Sequence, residues 1–452
     1  MFGLRRPPKH ASHAFRSWTN TFLRRSLAAP TSRPPSIEIL GGTYPTDETT
    51  NITPSIISKL PERLYSRPGH PIHILKSLIE SHFNQHGAPS TFHCPSADSF
   101  SPLVTPKQNF DDLSFPSDHP GRSLQDSYYV NRDLLLRTHT SAHEVELFAS
   151  GHNSWLFTSD VYRRDEIDAS HYPVFHQMEG ASVFSTNVTG MKDLVDNIEY
   201  TRYATDQKDL EIEDLTVIND ENPYQLDHDP EQVDLVIESL KLSINGLLLK
   251  LFRDAAGVSR ADPLRVRWIP AYFPFTTPSY EVEVFFNGKW LEILGCGVVQ
   301  DATLQHANVK NKLGWAFGLG LERIAMILTS IPDIRLFWSK DHRFLSQFSS
   351  GNLTKFQPYS KYPACYKDLS FWLPGPTVEH NDVFDLVRDC AGDLVENVEL
   401  IDDFIHPKNQ KRSLCFRINY RSMDRSLSNE EVNEIHTRVA SLSKDRLGVE
   451  IR

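Results

Sequence analysis

Apolar residues recur at helical spacing from Ile72 through Leu75, Leu78 and Ile79 to Phe83, with Pro71 at the start and Gly87 past the end, so the pattern predicts a helix with one buried face. Between Tyr128 and Val183 the period shortens to that of strands. One short helix interrupts them, with Ser141 and Glu144 at capping-box spacing and Gly151 beyond its end. A longer helix is expected from the N-cap Asp229, followed by Pro230, to Asp254. From Trp268 to Val299 the alternation in Glu281-Val282-Glu283-Val284 and the turn at Asn287-Gly288 predict hairpins, hence an antiparallel sheet. The run from Gly314 to Leu328 then reads as a strand or turn feeding a helix with Leu321, Ile324, Ala325 and Leu328 on one face.

After about Gln357 the order becomes strand (Tyr366–Trp372), helix (Asn381–Ala391), two strands (Val395–Leu400 and Ser413–Tyr420), helix, and strand (Val449–Arg452), which is a βαββαβ unit. Ser428 and Glu431 form a capping box for its second helix, and Val432, Ile435, Val439 and Leu442 form the buried stripe. Charge is segregated in this unit. Residues 379–403 hold nine acids and one Arg, and residues 408–425 hold six bases and one acid. A solvated face and an RNA footprint with Phe416 and Tyr420 interleaved are level readings of that pattern.

With 452 residues, 39% of them hydrophobic, the chain can bury a large core and divide into two or three domains. Even its most apolar stretch, Trp290 to Val299, is broken by Glu292, so no membrane association is expected. The five cysteines stand singly and read as reduced, mostly buried thiols. Net charge is −11, yet residues 1–37 carry seven bases and no acid and are rich in Ser and Thr, the composition of a mitochondrial transit peptide. The remaining 40 bases and 58 acids give −18, so any nucleic-acid contact must use local patches.

In the strand from Pro173, Phe175, Gln177 and Glu179 share one face, and Val174, His176 and Met178 share the other. The preceding strand ends at Tyr162-Arg163-Arg164-Asp165, so Arg163 can converge on the Gln177 and Glu179 face across one hairpin; a merely solvent-exposed sheet face is the alternative. The short helix at Ser141 offers free backbone N–H groups just after His139 and Thr140. Phe273 and Phe275 lie on one side of a strand. Arg323, near the start of a helix after Gly318 and Gly320, opposes the helix dipole, which suggests retention for a ligand.

Taken in order, HTSAHE from His139, VYRRD from Val161, FHQMEG from Phe175, YFPF from Tyr272, LEILGCG from Leu291 and AFGLGLER from Ala316 resemble the class II aminoacyl-tRNA synthetases of phenylalanine type. The arginine strand with FHQMEG resembles motif 2, GLGLER resembles motif 3, and the resemblance runs from about His70 to the end. It implies an α+β protein with an antiparallel-sheet catalytic core over residues 37–356, a helical insertion around 186–262, and a ferredoxin-like anticodon-binding domain over 357–452, after a transit peptide over 1–36. It also implies a monomer in the mitochondrial matrix that adenylates phenylalanine with ATP and Mg²⁺ and passes the acyl group to tRNA(Phe).

The resemblance assigns roles residue by residue. Arg163 takes the α-phosphate and Arg323 the far phosphates as the catalytic pair. Phe175 stacks on adenine, Asp165, Ser170, His171 and Tyr172 close over ATP, and Glu292 contacts ATP or holds Mg²⁺. Gln177 and Glu179 take the ammonium group, with Met178 in the same amino-acid-binding run, and His139, Ser141, Ala142, His143 and Glu144 line its other side. Phe273 and Phe275 face the ring, and Ala316, Phe317 and Gly318 form the pocket floor. Lys408, Lys411, Arg412, Arg417, Arg421 and Arg425 carry the tRNA patch. Two positions depart from the family pattern: Asp165 replaces a Glu and Ala142 replaces a Pro. A non-catalytic RNA-binding relative would lose Arg163 and Arg323, and a small-molecule adenylating ligase would not need the C-terminal unit.

Overall fold

The computed structural model describes residues 34–452, save 87–91, 206, 359–361 and 376–377, so residues 1–33 of the expected transit peptide and Gly87 lie outside the described residues, whereas Ser36, its expected last residue, opens a two-stranded hairpin (Ser36–Ile39 with Gly42–Pro45). The first long helix, α1 (Pro71–His86), begins at the expected proline and buries Ile72, Leu75, Ile79 and Phe83. A 3₁₀ turn (Thr140–His143) leads into α2 (Glu144–Ala149), and the expected capping box is not made: the Ser141 hydroxyl donates instead to Glu179 at 3.0 Å.

Seven strands form the main sheet, with two long helices set into the run: β1 (Ser154–Tyr162), β2 (Val174–Ser185), α3 (Val188–Ala204), β3 (Leu210–Asp214), α4 (Pro230–Ala256), β4 (Leu264–Phe273), β5 (Thr276–Phe286), β6 (Lys289–Val299) and β7 (Lys312–Gly320). Their spatial order is β1-β2-β7-β6-β5-β4-β3, antiparallel except for the β3–β4 edge. Asp229 caps α4 by accepting from the Glu231 N–H at 3.0 Å. The β5–β6 turn holds Asn287 and Gly288 at φ 51° and 81°, the left-handed pair a two-residue hairpin requires. Helices α1, α3, α4 and α5 (Leu321–Thr329) cover one face of the sheet. Trp315 and Phe317 point into that layer; Trp315 donates to Ser239 at 3.1 Å, and Phe317 stacks on Phe83 at 5.2 Å. Region 186–262, expected as a helical insertion in the core, supplies two covering helices (α3 and α4) and the edge strand β3.

The last part of the chain forms β8 (Cys365–Trp372), α6 (His380–Ala391), β9 (Val395–Ile405), β10 (Arg412–Tyr420), α7 (Asn429–Leu447) and β11 (Glu450–Ile451), with strand order β9-β10-β8-β11. This is the expected split βαβ sandwich. Its core holds Leu369, Phe371, Phe416, Ile418, Tyr420, Val432 and Val439, so Phe416 and Tyr420 are interior residues and cannot stack on RNA. The segregated charges meet across the sheet: Arg412 pairs with Asp403, Arg417 with Asp368 and Arg421 with Glu396, and Lys411 and Arg425 reach Glu450 and Glu431. The strand patch is therefore largely neutralised, and the solvated-face reading fits β10. Helix α6 docks on the catalytic core through Arg164, whose guanidinium bridges Asp382 at 2.7 Å and Asp385 at 2.6 Å.

Among the described residues no helix is long and apolar enough to cross a membrane. All five cysteines are free, but only Cys296 and Cys390 are buried and Cys94 is exposed, which corrects the expectation of mostly buried thiols.

Candidate active site

The strand register selects which side chains reach the uncovered face of the main sheet. Gln177 stands opposite Gly320, Glu179 opposite Gly318, and Ala181 opposite Ala316; Gly318 and Ala316 in turn face Gly295 and Gly297 on β6. Two adjacent strands thus present little beyond Cα atoms on this face beside the Gln177 and Glu179 side chains. The same parity turns Met178 and Phe317 to the helix-covered face, where both are buried core. Neither is a pocket residue, in contrast to the role the motif order assigned them.

Glu292 reaches the site by a local irregularity. Opposite Val282 and Glu283 stand Leu294 and Glu292, so Ile293 is an extra residue in β6, and this bulge puts Glu292 on the face of Glu281 and Gly295 instead of that of Leu294. Its carboxylate lies 3.5 Å from Arg323 at the start of α5. The adjacent Glu322 is spent elsewhere: it accepts from the His176 backbone N–H at 2.8 Å and pairs with that ring at 2.5 Å, on the buried face of β2.

Two cavities open on this surface. One of about 470 Å³ is lined by Asp165, Phe175, Glu292, Gly320 and Arg323, with Ser170, His171 and Tyr172 on the loop wall. The other, about 350 Å³, is lined by Thr138, His139, Arg163, Phe273, Phe275 and Tyr272. Asp165 and Glu292 border both, so the two are contiguous. Arg163 sits at the junction: its Nε donates to the Thr138 carbonyl at 2.8 Å and its guanidinium lies 5.4 Å from the centre of the Phe175 ring. Tyr172 is held against the C-terminal unit, with its hydroxyl on Asp393 at 2.5 Å and its ring stacked on Trp338.

The second cavity ends in a dry polar group. The His139 ring packs against Phe115 (5.4 Å) and Phe275 (6.2 Å), which are themselves 6.0 Å apart, and neither of its nitrogens has a hydrogen-bond partner. Burial, then the Arg163 charge, push its pKa down to about 3, so it is a neutral imidazole. Gln177 accepts from the Thr140 N–H at 3.3 Å, and its Nε2 is unpartnered. Burial pushes Glu179 up to about 7, despite the bonds from Thr140 and Ser141. Glu144, fully buried with both carboxylate oxygens unpartnered, is raised further by burial and by the Glu179 charge. Buried polar atoms without partners cost free energy, and here they are the two Glu144 acceptors, the Gln177 amide donor and the neutral His139 ring, so this end favours a ligand that brings both N–H donors and an acceptor.

Two expected lining residues serve the scaffold instead. His143 contacts Arg137 and Glu146 and is boxed by Phe100 and Phe157; Ala142 packs with Val104, Phe110, Tyr129 and Leu135. Phe115 and Trp290 were not foreseen. Trp290 follows the legible Asn287-Gly288 turn, whereas Phe115 lies in an irregular loop without periodicity.

For Mg²⁺, Glu292 and Glu281 are a fitting donor pair, since burial and then the Glu292 charge raise Glu281. A nearby grouping of Glu166, Asp168 and His171 is less apt, because Asp168 already bonds His171 and Ser170.

The model of the class II core domain of tRNA synthetases (F) matches residues 62–209 and 223–348, and that of the ferredoxin-fold anticodon binding domain matches 360–452. The chain is 44% identical to the mitochondrial phenylalanine–tRNA ligase of Saccharomyces cerevisiae, over 93% of this chain and 96% of that protein. It is 44% identical to the mitochondrial enzyme of Mus musculus over 97% and 94%, and 45% identical to the chloroplastic/mitochondrial one of Arabidopsis thaliana over 90% and 83%.

Proposed function

We infer the reaction from one premise: the chain belongs to the class II aminoacyl-tRNA synthetases, in the branch of the phenylalanine–tRNA ligases. It is a phenylalanine–tRNA ligase. It activates phenylalanine with ATP and transfers the acyl group to mitochondrial tRNA(Phe). The observation that carries this reading is the junction at Arg163, with a cavity bearing Arg323 and Phe175 on one side and one bearing His139, Phe273 and Phe275 on the other.

The carboxylate of phenylalanine attacks the α-phosphorus, so charge grows on phosphate oxygens at that junction. Fixed cations and positioning serve this step better than an acid or base. Arg163 is assigned the α-phosphate and Arg323 the outer phosphates, where a planar, permanently charged fork suits phosphate oxygens. Phe175 takes the adenine, and Asp165, Ser170 and His171 border it. Gln177, Glu179 and Ser141 take the ammonium group, with Glu144 behind them, and His139, Phe273 and Phe275 enclose the ring over the floor of Ala316 and Gly318. Glu292 would hold Mg²⁺, which when bound neutralises charge on the pyrophosphate.

The domain division is proposed as transit peptide 1–36, catalytic core 37–356 and anticodon-binding unit 357–452. The protein is proposed to act as a monomer in the mitochondrial matrix, and sedimentation tests the first of these. Charging assays with mitochondrial tRNA and each labelled amino acid test the reaction. Phenylalanine alone should be attached efficiently, and preferential charging of another amino acid would overturn the assignment.

A further inference from the structure

Residues 163–173 join β1 to β2 and belong to no strand, so their backbone carbonyls need partners outside the main sheet. Several of those partners come from the C-terminal unit. Arg388 on α6 donates through one terminal nitrogen to the carbonyls of both Asp165 and Glu166, each at 2.5 Å. The Val398 N–H on β9 donates to the Ile167 carbonyl at 3.1 Å, and the Tyr172 hydroxyl meets Asp393. The Ile167 side chain, 5% exposed, packs in the apolar core of the C-terminal unit rather than in that of the catalytic core. From the catalytic side the Ile334 N–H takes the Ala169 carbonyl at 2.8 Å.

The same loop presents Asp165, Ser170, His171 and Tyr172 to the cavity that also holds Phe175 and Arg323, and Ile167 is not among the lining residues. One side of the loop thus faces the nucleotide site while the other is seated on a different unit. Arg388 is itself fixed: its second terminal nitrogen donates to Asp385 at 3.2 Å, and Asp385 also accepts from Arg164 and Tyr128 of the catalytic core. A buried guanidinium with both prongs engaged is rigid, so the loop carbonyls follow the position of α6. Ordering such a loop at the moment of binding would cost ligand affinity. Here the order is supplied in the unliganded chain.

We propose that the C-terminal unit takes part in amino-acid activation, a step that involves no tRNA. Arg388 is a positioning residue that, together with Val398 and the apolar seat of Ile167, holds the loop from Asp165 to Tyr172 in place for ATP. The proposal rests on the phenylalanine–tRNA ligase reading, and it gives the unit a task besides the anticodon binding for which its domain family is named.

Phenylalanine-dependent ATP–pyrophosphate exchange on the full chain, with no tRNA present, reads this step. Arg388→Ala should raise the KM for ATP roughly tenfold and leave the KM for phenylalanine within about twofold, and Arg388→Lys, which keeps a donor on the loop, should recover part of the loss. Ile167→Ala weakens the same seat from the loop side and should raise the same KM. Arg446→Ala breaks an ion pair to Asp389 on the same helix and should leave both KM values at wild type. A wild-type KM for ATP in Arg388→Ala and Ile167→Ala overturns the proposal, as does a parallel rise of both KM values, which marks a general loosening of the chain. Absence of exchange in the unmodified chain overturns the reaction instead. Hydrogen exchange on the unmodified chain needs no variant. Without ATP, the backbone amides of residues 165–172 should exchange at least roughly tenfold more slowly than in a free peptide of the same sequence, and exchange at the free-peptide rate overturns the ordering role.

Discussion

The two ends of the active site solve opposite problems. At the phosphate end Arg323 and Glu292 are part-exposed, with 38% and 24% of their side chains open to water, and they face each other as a loose pair at 3.5 Å. At the amino-acid end Gln177, Glu179 and His139 are all at or below 3% exposure, and several of their polar atoms lack partners. A wet site can hold charge cheaply and re-aim it, so it suits a large, mobile polyphosphate. A dry site with unpaired polar atoms is penalised until a ligand supplies the missing partners, so it reads one small molecule with high discrimination.

The largest effect should fall where the two ends meet. Arg163→Ala removes the cation at the junction and is expected to lower phenylalanine-dependent pyrophosphate exchange by roughly 10²–10³-fold or more. An activity within tenfold of wild type would show that the junction does not carry the chemistry. Next comes the dry end: Glu179→Gln deletes a charge but preserves shape, and a lost charge-assisted hydrogen bond of about 1.5–3 kcal/mol raises the KM for phenylalanine roughly 10- to 100-fold. The KM for ATP should not follow; if both rise together, the ends are not separable.

The pH dependence sharpens the contrast. With its carboxyl pushed up to about 7, Glu179 is protonated below that pH and cannot take an ammonium ion. The KM for phenylalanine should therefore rise as pH falls from 8 to 6, towards about tenfold per unit. The stability sign is opposite: a raised carboxyl binds protons more tightly in the folded state, so the ligand-free chain loses stability as pH rises from the ordinary glutamate value to about 7. Phenylalanine should accordingly raise Tm more at pH 8 than at pH 6, and equal shifts at the two pH values would contradict the charge state given to Glu179.

How much of this was legible depends on whether a local rule decided the position. The Asn287-Gly288 turn, the Asp229 cap and the Gln177–Glu179 parity are fixed by local chemistry and follow from residue types alone. Glu292 is different, because a bulge at Ile293 overrides simple alternation. Ser141 shows the same competition: its hydroxyl can cap a helix or meet a buried carboxylate, and the unpaired charge of Glu179 wins. In the C-terminal unit, the alternation of Leu414, Phe416, Ile418 and Tyr420 already marks an inward face, but the surrounding basic residues suggested an outward one. The partners of Arg417 and Arg421, Asp368 on β8 and Glu396 on β9, are distant in sequence and become visible only in the sheet.

The smallest expected effect is also the most direct test of the contrast. Arg323→Lys keeps the positive charge at the wet end and loses only the planar, two-pronged geometry. In a part-exposed pocket, water and a flexible ammonium can replace much of that geometry. The KM for ATP should rise only a few-fold, within about 1 kcal/mol, with the KM for phenylalanine unchanged. Initial-rate exchange kinetics at varied ATP measure this. A loss comparable to that of Arg163→Ala would mean that the outer phosphates are gripped as tightly as the amino acid, and that exposure in the unliganded chain does not report how the phosphate end binds.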